Sequence, residues 1–167
     1  MSNSKSRDKG VRAEYAIRDL LREATALDWE RVPGSGGFGA SHNLKGDVYL
    51  PQSTGKMSKW CIEVKHYKEE QFTSNILKTA NTKTQFEKWL DQTEREAEEM
   101  NAHPMLVFKK DRGQWYVAVP TEFGLAEEMR MLVPHAEVYL SDTQYKYVVA
   151  DFKEFLKIDK ITEYLVK

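Results

Sequence analysis

Cysteine is almost absent from this chain: Cys61 stands alone among 167 residues. An intramolecular disulfide is impossible, and a cysteine-based zinc finger is excluded. The simple reading of Cys61 is a small buried hydrophobe in a reducing compartment. Long apolar runs are missing as well. None approaches the roughly 18 residues that a membrane span needs, and residues 1–9 are polar, without the apolar stretch of a secretory signal. Neither sign of charge dominates, with 25 Lys and Arg against 26 Asp and Glu. Repeats, linkers and low-complexity tracts are lacking too. These absences leave the expectation of a soluble, cytoplasmic protein with no membrane contact, long enough for one domain with a real core.

The charge that is present is unevenly spread. Residues 1–90 hold 15 Lys and Arg against 11 Asp and Glu, and residues 91–167 hold 10 against 15. A nucleic-acid face would therefore belong to the first half. Residues 1–8 read as a disordered polar lead. From Lys9 to Leu27, apolar residues at Ala13, Ala16, Ile17, Leu20, Leu21, Ala24 and Leu27 follow one helix face. Trp29 to Val32 is extended, and the four glycines between Gly34 and Gly39 require a loop. Gly46–Leu50 and Lys59–Tyr67 read as strands joined by a turn. A charged helix is expected from Thr82 to Asn101, then a hairpin of 104–109 and 114–119. A helix follows from Thr121, which would cap it, then strands at 137–140 and 145–150 and a terminal helix. This order predicts one α/β domain, residues 9–167, with a central mixed β-sheet flanked by helices.

Two strands carry chemistry. In Trp60-Cys61-Ile62-Glu63-Val64-Lys65, Glu63 and Lys65 project to one face, Ile62 and Val64 to the other. In Gly46-Asp47-Val48-Tyr49-Leu50, Val48 and Leu50 are apolar and Asp47 alternates with them. Pairing of the two strands would bring Asp47 beside Glu63 and Lys65. Two carboxylates at that spacing repel unless a cation lies between them, and their oxygens suit Mg²⁺, with Mn²⁺ as a substitute. Such a metal could polarise a phosphate and activate a water, while Lys65 orients that water or neutralises developing charge. An amphipathic strand with a surface ion pair would leave the same pattern.

Gly46-Asp47 followed by Glu63-Val64-Lys65 resembles the PD-(D/E)XK nuclease superfamily. Within it, Lys9-Gly10 with Glu14 four residues on, and Arg31 ahead of Gly34-Ser35-Gly36, resemble the archaeal-type Holliday junction resolvases. The likeness is close from Lys9 to Lys65 and looser to about residue 120, leaving 121–167 as an extension of unknown role. It implies a restriction-endonuclease-like fold and a metal-dependent DNA endonuclease of recombination or repair, acting as a homodimer that nicks four-way junctions. It implies that Asp47 and Glu63 ligate Mg²⁺, that Lys65 serves the attacking water, and that Glu14 completes a catalytic set of Glu14, Asp47, Glu63 and Lys65. Arg31 and Ser35 would contact the DNA backbone, with Lys9, Arg12 and Phe38 as further DNA-binding candidates. Gln85 resembles a helical glutamine near the site in several branches. Two departures stand out: Gly46 replaces the proline of the superfamily's name, and Tyr15 follows Glu14 where the resolvases have arginine. The alternatives are a PD-(D/E)XK nuclease of repair or restriction type cutting duplex, flap or single-stranded DNA, and a catalytically silent DNA-binding module.

The glycine loop could cradle a phosphate, but it lacks the Lys-Ser/Thr ending of an ATP-binding loop. His42, His66, His103 and His135 show no metal-ligand spacing and read as solvated. Trp89, Trp115 and Tyr116 read as core, and Glu94–Glu99 as a solvated helical face.

Overall fold

The first helix, α1 (Ser2–Thr25), buries Ala13, Ile17 and Leu21, the stripe that its spacing predicts. In this computed structural model, residues 2–34, 44–72 and 83–167 are described. The helix begins at Ser2 rather than Lys9. Residues 2–8, expected as part of a disordered lead, extend the helix, with 4–8 exposed, since nothing before Gly10 breaks a helix already nucleated downstream. Ala26, at a φ of 57°, ends the helix.

Seven strands follow: β1 (Glu30–Arg31), β2 (Val48–Tyr49), β3 (Trp60–Tyr67), β4 (His103–Lys110), β5 (Tyr116–Pro120), β6 (His135–Leu140) and β7 (Tyr145–Asp151). They form a single sheet in the order β1-β2-β3-β4-β5-β7-β6. Only β3 and β4 run parallel, joined by the crossover helix α2 (Gln85–Met100); every other pair is antiparallel. The mixed sheet is thus as expected. One face packs on α1, α3 (Gly124–Leu132), α4 (Phe152–Leu156) and α5 (Ile161–Leu165), with Ile17, Leu21, Ile62, Val107, Val117, Val148 and Phe152 at its centre. The other face packs on α2 through Phe86, Trp89, Leu90, Leu106, Phe108 and Tyr147. Trp89 and Trp115 are core, and Tyr116 is half-buried beside the α2 cluster.

Three details differ from the sequence reading. Thr121 does not cap α3: its N–H is spent on the Lys146 carbonyl, and the helix starts at Gly124. The terminal helix is two short ones. Asp151 caps α4 by accepting from the Glu154 N–H at 3.0 Å, and Lys160, at a φ of 60°, separates α4 from α5. Finally, residues 121–167 are no appendage. They supply two strands and part of the core, and Lys167 exchanges two 2.9 Å backbone hydrogen bonds with Met57 in the β2–β3 connection. Among the described residues no helix is long and apolar enough to cross a membrane.

Candidate active site

The sheet forks where β2 meets β3. Their register pairs Val48 with Ile62, so Asp47, one residue earlier, faces Glu63. The Asp47 N–H donates to the Ile62 carbonyl at 2.8 Å. Beyond that point, the Val64 N–H is taken by the Asp47 side chain, Oδ2, at 2.7 Å. Asp47 thus closes the fork with its own carboxylate and is fixed at the edge of β3. Gly46 makes the turn into this position at a φ of 78°, and a Cβ there would lie 2.8 Å from the Ile62 carbonyl. Proline, confined to a φ near −65°, cannot occupy it, which accounts for the departure from the superfamily's name.

Glu63 and Lys65 face α2, as strand alternation predicts. Lys65 Nζ lies 3.1 Å from Glu63 Oε1 and donates to Gln92 Oε1 at 3.0 Å. Gln92 Nε2 donates to Glu63 Oε1 at 2.9 Å and to Glu96 Oε1 at 3.0 Å. Glu96 Oε2 in turn accepts from the Gly46 N–H at 3.1 Å. A hydrogen-bonded chain therefore runs from the backbone before Asp47, through one face of α2, to Glu63 and Lys65.

Gln92 and Glu96 were not singled out from sequence, and the solvated reading of Glu94–Glu99 needs correcting. Glu96 turns inward to the site, and Glu94 accepts from the Tyr147 hydroxyl. The available signal was that Gln85, Gln92 and Glu96 share one helical stripe. Gln85 itself sits at the start of α2, two turns before Gln92, and among the described residues the bond to Glu63 comes from Gln92 instead.

The other expected residues divide. Glu14, on α1, pairs with Arg31, and its charge acts on Asp47. The Arg31 guanidinium also lies 5.7 Å from the Tyr15 ring centre, so Tyr15 supports the arginine already at the site. Lys9 is drawn away to Asp111 in the β4–β5 turn, and Arg12 is exposed on α1. Ser35, Phe38 and His42 lie outside the described residues. His66 is not simply solvated: Nε2 lies 3.0 Å from Asp111 Oδ1 and the ring packs on Trp115.

Burial dominates the electrostatics. Desolvation, and then the charge of Glu14, pushes the Asp47 carboxyl up to about 7. Desolvation, and then Asp47, pushes Glu63 up to about 9. Burial by itself would lower Lys65, but Glu63 and Asp47 outweigh it and hold the ammonium protonated. Glu63 is 3 % exposed, and its Oε2 is buried without a hydrogen-bond partner. A buried, unpartnered carboxyl oxygen beside a second raised carboxyl fits a divalent cation, which would take the place of the retained protons and relieve both desolvation and repulsion. Among the described residues no three acidic, histidine or cysteine side chains gather as a complete cage.

An aspartate at the fork of a mixed sheet, facing Glu63-Val64-Lys65 on the adjoining strand, defines the PD-(D/E)XK nuclease fold. The chain belongs to one family of that superfamily, whose model, described as "phage putative PDDEXK endonuclease", matches residues 5–166. Protein D14 of Escherichia phage T5 is 46% identical over 151 residues, covering 90% of this chain and 91% of its own length. No solved structure matches the chain. The family match runs through residue 166 and so takes in most of the segment 121–167.

Proposed function

We propose that this protein is a Mg²⁺-dependent DNA endonuclease whose site is Glu14, Asp47, Glu63 and Lys65. The observation that carries the reading is the unpartnered, buried Glu63 Oε2 facing Asp47, beside an ammonium locked by Gln92. Asp47 and Glu63 would hold the ion, which when bound supplies Lewis-acid polarisation of the scissile phosphate and a water of lowered pKa. Lys65 is kept cationic by its acidic neighbours, so its part is to donate to the water and to the charge developing on phosphate rather than to take a proton. Glu14 anchors Arg31, whose guanidinium then serves the DNA backbone. Mn²⁺ would substitute for Mg²⁺.

Within that class the reading is a structure-specific enzyme of recombination or repair, a Holliday junction resolvase. Its support is the resemblance at Lys9, Glu14, Arg31 and Ser35, together with the Glu14–Arg31 pairing beside Asp47. A four-way junction offers two equivalent strands of like polarity, so two cuts call for two sites and a two-fold homodimer. The test is a panel of labelled junctions, flaps, duplexes and single strands with Mg²⁺. Paired, symmetry-related nicks in the junction, with linear duplex spared, are expected. Equal cutting of linear duplex would leave a nuclease of repair or restriction type, and no cutting of any DNA would leave a silent binding module.

A further inference from the structure

An acidic side chain stands inside a basic cluster beside the site. Asp111, in the β4–β5 turn, offers one oxygen, Oδ1, both to Lys9 Nζ from α1 and to His66 Nε2, the latter at 3.0 Å. His66 turns to the α1 side of β3, where its ring centre lies 5.9 Å from that of Trp115, and Lys109 Nζ lies 5.2 Å from the same Trp115 ring. Burial, and then the charges of Lys9 and Lys109, hold the His66 imidazole below its usual range, so two cations converge on one ring. The turn does not need the Asp111 carboxylate. Backbone bonds close it, from the Asp111 N–H to the Tyr67 carbonyl at 2.8 Å and from the Gly113 N–H to the Lys110 carbonyl at 3.0 Å. The Asp111 side chain is 43% exposed, against 25% for Lys9 and 18% for His66. The carboxylate is therefore the removable member, able to rotate outward and leave the donors behind.

We propose that Asp111 holds the place of a DNA backbone phosphate, and that a phosphate near the scissile one displaces it and takes over Lys9 and His66. The inference deepens the nuclease reading above and rests on it. Lys9, His66 and Lys109 bring donors and positive charge, so the site selects an anion rather than a metal ion. A phosphodiester presents acceptor oxygens and a single negative charge, as the carboxylate does, and such oxygens are what lysines and other donors take from a DNA backbone. The spacing suits the DNA that the catalytic set would hold. Lys9 lies five residues, about 7 Å, along α1 from Glu14. His66 lies three residues, about 10 Å, along β3 from Glu63. At a rise of about 3.4 Å per nucleotide, those lengths correspond to roughly two or three linkages from the cut. Exposed ion pairs are weak and screened by salt, so exchange of a carboxylate for a phosphate meets little resistance. The acidic half of the chain thus contributes Lys109 and Asp111 to a face otherwise made by the first half.

Removal of the competing charge tests the proposal. Asp111→Asn keeps the size of the side chain and the backbone bonds of the turn. Binding to a labelled four-way junction is measured with Ca²⁺ in place of Mg²⁺. Asp111→Asn is expected to tighten it by about twofold to fivefold, the range that release of an exposed ion pair allows. Lys9→Ala should weaken binding, and in the double variant Asp111→Asn should bring no gain, because its effect passes through Lys9. A single neutral methylphosphonate, moved linkage by linkage along the DNA, should find a position that weakens binding by the Asp111→Asn protein and leaves binding by the Lys9→Ala protein unchanged. An Asp111→Asn affinity no higher than wild type, a gain that survives Lys9→Ala, or the lack of any such linkage would overturn the proposal. Cleavage with Mg²⁺ is scored separately. A gain through Lys9 without cutting of any DNA keeps the phosphate site and removes the nuclease, whereas cutting without that gain does the reverse.

Discussion

At the level of single residues, the site combines groups that are costly to bury. Asp47 and Glu63 are held protonated well above the ordinary carboxylate range by desolvation and by neighbouring acids. The linkage has a definite sign. Below about pH 4 both are protonated whether the chain is folded or unfolded. Between the ordinary values, 3.8 and 4.5, and the raised ones, about 7 and about 9, the folded state retains protons that the unfolded chain has released. Stability of the metal-free protein must therefore fall as pH rises through that window. Melting temperature against pH in EDTA should show this decline, and saturating Mg²⁺ should flatten it. The double variant Asp47→Asn, Glu63→Gln should lose both the decline and the Mg²⁺ response; a persisting Mg²⁺ shift would place the ion elsewhere. Single Asp47→Ala, Glu63→Ala or Lys65→Ala changes should abolish cleavage while DNA binding persists, as gel shifts beside a cleavage assay would show. At Gly46, Ala would have to adopt a φ of 78° with its Cβ 2.8 Å from the Ile62 carbonyl. Strain of that kind costs about 1–3 kcal/mol, so a lower urea midpoint together with weakened cleavage is expected.

Among the elements, α2 decides the geometry. Its apolar stripe of Phe86, Trp89 and Leu90 seats it on the sheet, and that seating turns Gln92 and Glu96 toward Glu63, Lys65 and Gly46. Gln92→Ala removes one group that holds both Glu63 and Lys65. Losses of this kind cost roughly 10–100-fold in activity. The fall should appear in kcat with KM for DNA little changed, because Gln92 reaches residues of the site rather than the substrate's backbone. An unchanged kcat would mean that Lys65 and Glu63 hold their positions without it. A rise in KM with kcat unchanged would make Gln92 a DNA contact.

For the whole molecule, binding has to be made by local charge, since the net charge is −1. On the proposed function, Arg31, Arg12 and the other cations of the first half would meet phosphates, and counterion release would make affinity fall steeply with salt. Arg31→Ala should weaken binding to all sequences alike and reduce the slope of log Kd against log salt by about one. Because Arg31 also neutralises Glu14, the variant should be read at constant pH with Mg²⁺ replaced by Ca²⁺, so that binding is measured without cutting. A salt-independent affinity would point to a ligand other than nucleic acid.

The periodicities of the chain determined much of this by themselves. A stripe at Ala13, Ile17 and Leu21 specifies α1. The alternation of Ile62 and Val64 with Glu63 and Lys65 specifies β3 and both its faces, because a one-residue slip would turn the charged pair into the apolar cluster around Ile62 and Val64. Asp47 beside Glu63 was legible for the same reason: two amphipathic strands joined by a short turn pair antiparallel. What sequence could not supply was whatever depends on how an element rolls or docks. Helix α2 is charged around most of its surface, so the stripe of Gln85, Gln92 and Glu96 does not stand out from its solvated neighbours until Trp89 and Phe86 are seated. The place of residues 121–167 was equally hidden, because strands β6 and β7 join the sheet through long-range pairing that leaves no local mark. The raised carboxylates are likewise a product of tertiary structure alone: an acid next to an acid is ordinary in water, and its pKa climbs only when the fold removes the water.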